Sequence, residues 1–287
     1  MKSYKTILGL HKSIDKAKKS GHKIAFIPTM GALHSGHLSL VKVAQNYADT
    51  VIVSIFVNPS QFNNLEDLKK YPKTLSADKQ MLQSIGCDLL FVPEVSEIYP
   101  KQWHSELNID LEDKDKVMEG EFRPGHFKGM LEVVKRLLDI TEPDVLVMGQ
   151  KDFQQFSLVA HMIKVLKLPL KLIIGPTLRE IDGLAMSSRN VRLTPEMRHI
   201  APAIYKTLNK AKTMIGSESI DHIVTTCKLE LDKLGLQTEY FDIVDGNTLK
   251  PIENPANHDY IVACVATWAG KVRLIDNLIL KGELQMN

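Results

Sequence analysis

Two histidines three residues apart stand in the run Pro28-Thr29-Met30-Gly31-Ala32-Leu33-His34-Ser35-Gly36-His37. Before it lies a short apolar stretch, Ile24 to Pro28, that reads as a strand. After it, Gly36 to Asp49 reads as a helix with Leu40, Val41, Ala44, Tyr47 and Ala48 on one face. A helix start of this kind offers unpaired backbone N–H groups and partial positive charge, which suit phosphate. Gly31 and Gly36 allow backbone to come close to a ligand. A spacing of three puts His34 and His37 on one side of the helix start. There they could donate hydrogen bonds to phosphate oxygens as negative charge builds up. A zinc pair is the competing chemistry, but the Glu of His-Glu-x-x-His and an obvious third ligand are both missing.

A second strand–loop–helix junction is Met148-Gly149-Gln150-Lys151-Asp152-Phe153-Gln154-Gln155. Lys151 can bring a charge to phosphates. Asp152 can cap the following helix or take a functional role, and Gln155 falls one turn after Lys151. Met186-Ser187-Ser188-Arg189 joins two hydroxyls and a guanidinium in a loop that could wrap a triphosphate. Asn58-Pro59-Ser60-Gln61-Phe62 follows another strand; it is good turn chemistry, and Asn58 and Gln61 could hydrogen-bond a polar substrate there. By itself each of these three has an ordinary reading as a surface loop.

The elements that must carry these loops alternate. Val51 to Val57, Leu89 to Val92, Val145 to Met148 and Leu170 to Ile174 read as strands. Between them come helical patterns at Leu75 to Ile85, at Met130, Val133, Val134, Leu137 and Leu138, and at Phe153, Phe156, Ala160 and Ile163. This alternation predicts an α/β fold, a Rossmann-like doubly wound parallel sheet whose ligands bind beyond the carboxyl ends of the strands. After Gly175-Pro176 the rhythm changes. Two helices, about Pro195 to Ile215 and Ile220 to Leu234, precede strands near Tyr240 to Val244, Tyr260 to Thr267 and Val272 to Asp276. The expectation is a Rossmann-like domain over 1–177 and a smaller C-terminal α+β domain over 178–287 that carries the Met-Ser-Ser-Arg loop.

Composition narrows the class. The 287 residues suit two domains. A net charge of +2 gives no electrostatic case for nucleic acid or an anionic membrane. Cys87, Cys227 and Cys264 are odd in number and far apart, which argues against a disulfide framework and for reduced thiols in a cytoplasmic protein. No stretch approaches the roughly 18 apolar residues of a membrane span, and the apolar run Ile7 to Leu10 is too short for a signal peptide.

Taken together the motifs identify a family. His34-Ser35-Gly36-His37 resembles the His-x-Gly-His signature of the nucleotidyltransferase superfamily, and Met186 to Arg189 resembles its second signature. With Asn58 to Phe62, Tyr71-Pro72-Lys73-Thr74, Arg123-Pro124-Gly125-His126-Phe127, Gly149 to Asp152 and Asp182 to Asn190, the set resembles the pantothenate synthetase (pantoate–β-alanine ligase) family.

The resemblance implies a homodimer that uses ATP and Mg²⁺ to join pantoate and β-alanine through a pantoyl adenylate. It implies ATP along Met30, Gly31, Ala32, Leu33, His34, Ser35, Gly36 and His37, along Gly149, Gln150, Lys151 and Asp152, and along Met186, Ser187, Ser188 and Arg189. It puts pantoate on Gln61 and Gln155, β-alanine near Gln61, and Asn58, Tyr71 and Arg123 around them. It makes His37 a general acid, His34 a phosphate contact and Asp78 an acidic position near the metal. Met148, Phe153 and Glu132 depart from the family pattern. Two rivals share parts of this set: a nucleotidyltransferase that adenylylates a phosphate ester, and a non-catalytic ATP-sensing module.

Overall fold

The computed structural model describes residues 1–62, 68–69, 71–105 and 107–284. Its first compact unit comprises 1–111, 123–149 and 158–175, and its second 112–122, 150–157 and 176–287. The expected division was two consecutive segments meeting at 177/178. In the structure Glu112–Phe122 and Gln150–Ser157 also pack with the second unit, so Lys151 and Gln155 belong there.

In the first unit, β1 (Lys2–Tyr4), β2 (Ile24–Thr29), β3 (Thr50–Ile55), β4 (Leu89–Phe91), β5 (Val145–Gly149) and β6 (Lys171–Gly175) form one sheet in the order β1-β4-β3-β2-β5-β6. Every pairing is parallel. Residues 24–27 of β2 and all of β3 are buried, which is why these runs are apolar without alternation. At the amino ends, carboxylates take the first N–H groups: Asp144 Oδ2 accepts from Ile24 N at 2.7 Å and Asp88 Oδ2 from Val51 N at 2.8 Å. The chain winds one way from β2 to β3 and β4 and the other way to β5 and β6. The switch point of the winding therefore lies at the carboxyl ends of β2 and β5.

Helices α1 (Ile7–Lys19), α2 (Ser35–Gln45), α3 (Leu75–Ser84) and α4 (His126–Thr141) belong to the same unit, and α5 (Phe153–Val165) runs from one unit into the other. The stripe Met130, Val133, Val134, Leu137 and Leu138 of α4 is buried as the spacing predicts. Two readings change. Helix α2 ends at Gln45, and Tyr47 in the following turn is 44% exposed. In α5 Ala160 is exposed, while Leu158, Val159 and Met162 are fully buried. The strand β1 and helix α1 were not read from the sequence; α1 starts at Thr6, whose Oγ1 accepts Gly9 N at 3.2 Å.

In the second unit, α6 (Ala203–Met214) and α7 (Ile220–Lys233) pack on an antiparallel sheet of β7 (Gln237–Asp245), β8 (Ile261–Ala269) and β9 (Val272–Lys281). The single helix expected from Pro195 to Ile215 is broken. Pro195–Ile200 forms a short helix, Pro202 interrupts, and α6 begins at Ala203. Cys227 and Cys264 are buried here, as Cys87 is in the first unit, and all three are free thiols. Burial pushes Cys87 up to about 12 and Cys227 up to about 11, so neither is a ready nucleophile.

Asp242 on β7 is the titratable weak point of this sheet. Burial, reinforced by Glu121, raises its carboxyl to about 6 against the pull of Lys228. The folded state thus holds a proton that the unfolded chain has lost, and stability falls as pH rises from the unfolded value through about 6. Asp242→Asn should therefore gain about 1–2 kcal/mol near pH 7.5, after discounting for partial exposure. Urea unfolding at several pH values checks this: the gain must shrink toward about pH 4, and a pH-independent gain would contradict the assignment.

Candidate active site

The loop after β2 is held from within. Gly31 has φ +81° and Ala32 φ +50°, so two successive residues take the left-handed conformation, and the N–H groups of Ala32 and Leu33 converge. The anion that fills this concavity belongs to the protein. Asp78, buried at the start of α3, accepts Ala32 N at 3.1 Å and Leu33 N at 2.9 Å, and Thr74 Oγ1 completes it at 3.1 Å. A Cβ at Gly31 would stand 2.9 Å from Ile55 Cγ2 and 3.2 Å from Asp78 Oδ2, so only glycine fits. Asp78, expected beside a metal, is in this structure the brace of the loop.

The two histidines complete the loop as a reciprocal cap. Gly36 N donates to His34 Nδ1 at 3.2 Å, and His34 N donates to His37 Nδ1 at 3.3 Å. Gly31 N turns back to Thr29 Oγ1 at 3.2 Å. The backbone N–H groups of Gly31, Ala32, Leu33, His34 and Gly36 thus have acceptors within the loop or on Asp78. The same cap sets the tautomer of both rings. Each Nδ1 is an acceptor, so a neutral ring carries its proton on Nε2, across the ring from the cap. The ring centroids are 4.1 Å apart and tilted by 46°.

Beyond β3, Asn58 and Gln61 meet in a single turn. Asn58 is 1% exposed and fully engaged: Nδ2 donates to Gly129 O at 3.1 Å and Gln61 Oε1 at 3.3 Å, and Oδ1 accepts from Tyr99 OH at 3.0 Å. A Cβ at Gly129 would lie 2.5 Å from Ser60 O, so glycine lets α4 press onto this turn. His126 Nδ1 bonds Gln61 O at 2.8 Å. The outcome is that Gln61 is placed from three sides and its Nε2 lies 3.3 Å from Met30 Sδ, which links this turn to the His loop. Asn58 positions rather than lines. Tyr71 is buried with its ring edge-on to Phe62, and Arg123 is half-buried with its carbonyl on His126 N at 3.1 Å. Glu132 lies with Arg136, Lys135, Trp103 and His104 around a separate cleft.

In the second unit Lys151, Ser187 and Arg189 line one polar cleft with Asp276 and Arg273. The Ser187 loop is set by its own polar groups: Arg189 N donates to Ser187 Oγ at 3.3 Å and Asn190 Nδ2 to Ala185 O at 3.0 Å. Ser188 and Gln155 are half-buried, and Asp152 is exposed with its carbonyl on Phe156 N. The neighbouring Gln154 is buried instead, its amide bridging Glu119 N, Lys114 O and Val117 O.

A family profile described as pantoate-beta-alanine ligase matches residues 2–279. The chain belongs to the pantoate–β-alanine ligase family. It is 42% identical over 279 residues to the pantothenate synthetase of Porphyromonas gingivalis, covering 97% of this chain and 99% of that one. It is 41% identical to the pantoate–β-alanine ligase of Schizosaccharomyces pombe, covering 97% and 98%. Among solved structures it is similar to pantothenate synthetase from Thermus thermophilus, with TM-score 0.91, 36% identity and coverage of 98% and 100%. It is also similar to the Francisella tularensis ligase complexed with β,γ-ATP and β-alanine, with TM-score 0.81, 38% identity and coverage of 98% and 98%. The family's fold, a parallel α/β sheet with a small antiparallel sheet domain, is the fold of this chain.

Sequence reasoning missed three polar residues in this pantoate–β-alanine ligase: Tyr99, Asp276 and Asn277. The signal for the last two was present, since Asp276-Asn277 interrupts an otherwise apolar alternation from Val272 to Leu280. Among the described residues no group of three or more His, Cys, Asp or Glu is placed to hold a metal ion. Among them, too, no helix is long and apolar enough to cross a membrane.

Removing the brace tests the first loop. Asp78→Ala should lose about 1–3 kcal/mol, because it strands two N–H groups in the interior. Hydrogen exchange should speed up at Ala32 and Leu33 while the amides of α2 beyond Leu38 stay protected. Unchanged exchange at those two amides would show that Asp78 does not hold them.

Proposed function

We propose that this protein condenses pantoate with β-alanine to pantothenate, consuming ATP and releasing AMP and pyrophosphate through a pantoyl adenylate. The observation that carries this reading is the family match over residues 2–279, made with the paired His34–His37 and Ser187–Arg189 loops intact. A carboxylate is a poor acyl donor because its leaving group would be oxide. In the first step a pantoate carboxylate oxygen bonds to the α-phosphorus of ATP and the bond to pyrophosphate breaks. In the second, the β-alanine amine bonds to the acyl carbon, loses a proton, and AMP leaves.

Such chemistry asks for positioning and charge neutralisation more than for covalent catalysis. We assign His34 and His37 to the phosphates as Nε2–H donors, with His37 as the proton source for the leaving group. Lys151, Ser187, Ser188 and Arg189 neutralise and hold the phosphates. Met30 to His37, Gly149 to Asp152 and Met186 to Arg189 would border the nucleotide. Gln61 and Gln155 bind pantoate, with β-alanine near Gln61, because amides reach hydroxyls and carboxylate without a charge that competes for the phosphates. Tyr71 and Arg123 shape the surroundings, and Asn58 acts through Gln61. Mg²⁺ enters on the triphosphate, which suits an octahedral ion that keeps water and takes few protein ligands. The working form is a cytoplasmic homodimer, in line with the family resemblance.

Isotope exchange tests the order of steps. With ATP, Mg²⁺ and pantoate but no β-alanine, labelled pyrophosphate should enter ATP. Oxygen-18 from the pantoate carboxylate should appear in AMP after the full reaction. ADP as product, with label in inorganic phosphate, would overturn the reading.

Variants test the roles. His37→Ala and Lys151→Ala should each lower turnover by about a hundredfold, as removal of one transition-state donor does. Gln61→Ala and Gln155→Ala should keep ATP affinity and lose pantoate-dependent exchange. Loss of ATP binding with pantoate binding intact would reverse the assignment of the glutamines.

A further inference from the structure

The inward face of β9 reads Val272, Leu274, Asp276, Leu278 and Leu280, and its leucines and valine pack in the core of the second unit. A carboxylate at the centre of this apolar stripe is out of place unless its partners require it there. Its partner is Arg179, which approaches end-on with NH1 at 2.6 Å from Oδ2 and NH2 at 3.0 Å from Oδ1. The same guanidinium donates to Gly183 O at 3.2 Å and stacks on the Tyr205 ring at 3.7 Å. Arg179 also bridges to Ala185 in the backbone, closing the hairpin that leads into Met186–Arg189. Burial pushes the Asp276 carboxyl up, and Arg179 pulls against it.

The next residue holds the other loop. Asn277 is 1% exposed, and its carboxamide donates to Gln150 O at 3.0 Å and Lys151 O at 2.8 Å. Its Oδ1 faces Gln150 Nε2 at 3.4 Å, and its own N–H is tied to Asp276 Oδ1 at 2.8 Å. Both N–H donors of the Asn277 side chain are taken by the Gln150 and Lys151 carbonyls, and its Oδ1 accepts from the Gln150 amide.

We infer that Asp276 and Asn277 are positioning residues, one strand segment from which both the Lys151 loop and the Ser187–Arg189 loop are hung. This rests on the proposed role of those loops at the ATP phosphates. The clamp sets where Lys151 stands without touching substrate itself. A misplacement of about 1 Å can lower a rate about a hundredfold.

The test is a double-mutant cycle on the whole enzyme, read by pantoate-dependent pyrophosphate exchange. Asn277→Ala should lower the exchange rate about tenfold to a hundredfold with little change in the KM for pantoate. In a Lys151→Ala background the same change should cost less than about threefold, because its route to the reaction is already gone. Full additivity would overturn the inference. Hydrogen exchange supplies a readout that needs no turnover: Asn277→Ala should loosen residues 150–152, and Asp276→Asn should loosen 183–189. Unaltered exchange in both variants would also overturn it. If wild-type protein catalyses no exchange, the proposed reaction fails while the clamp still stands or falls on the hydrogen-exchange arm. Asn277→Ser, which keeps one donor, replaces Asn277→Ala if the latter does not fold, with an intermediate effect expected.

Discussion

A carboxylate removed from water must be given donors, and in each unit of this protein some of those donors come from segments beside the candidate site. Asp78 lies in the interior of the first unit and is satisfied by Ala32 N, Leu33 N and the Thr74 hydroxyl. Asp276 lies in the interior of the second and is satisfied by Arg179 and by Asn277 N. Breaking either arrangement would leave a buried charge uncompensated, so the loop conformation is enforced by the energetics of the core. The left-handed backbone at Ala32 fits this picture, because strain at a non-glycine residue persists only where the surroundings over-determine it.

The sheet was legible because its strands are buried on both faces. Runs such as Val51 to Ile55 carry no alternation to misread, and their spacing by helical segments fixes a parallel topology. The errors arose where one pattern admits two answers. Helix α5 is apolar around much of its circumference, so Phe153, Phe156, Ala160 and Ile163 formed one acceptable stripe among several. The structure buries Phe153 and Phe156 of that stripe, together with Leu158, Val159 and Met162, and leaves Ala160 exposed. The three-residue strand β1 is too short to show a period. The segment 112–122 is polar, and its place in the second unit depends on distant partners such as Gln154, Tyr240 and Arg273.

The candidate site was legible as residue types and only partly as roles. His34, His37, Lys151 and Ser187–Arg189 are marked by local spacing, which a sequence displays. Which of two adjacent glutamines is buried, or whether Asp78 faces a ligand or a loop, depends on the direction of one side chain in a packed structure. Asn58 illustrates the difference. Its turn chemistry and its position past a strand suit both a substrate contact and a scaffold, and the bonds to Gly129, Gln61 and Tyr99 give it a scaffold role in the turn.

The internal use of the first loop's backbone has a chemical consequence. Glycine-rich phosphate loops commonly present their N–H groups to the ligand. Here the N–H groups of Gly31, Ala32, Leu33, His34 and Gly36 have acceptors within the protein. The conformation of the loop is therefore held by the protein's own acceptors. On the role proposed for the two histidines, imidazole N–H donors fixed by their own cap would need little reorganisation as charge shifts along the phosphates, and such preorganisation strengthens electrostatic stabilisation. A loop that bound phosphate through free backbone donors would be flexible when empty and would order only on binding, at the expense of affinity. The reciprocal cap between His34 and His37 uses two backbone donors to fix the orientation of both rings.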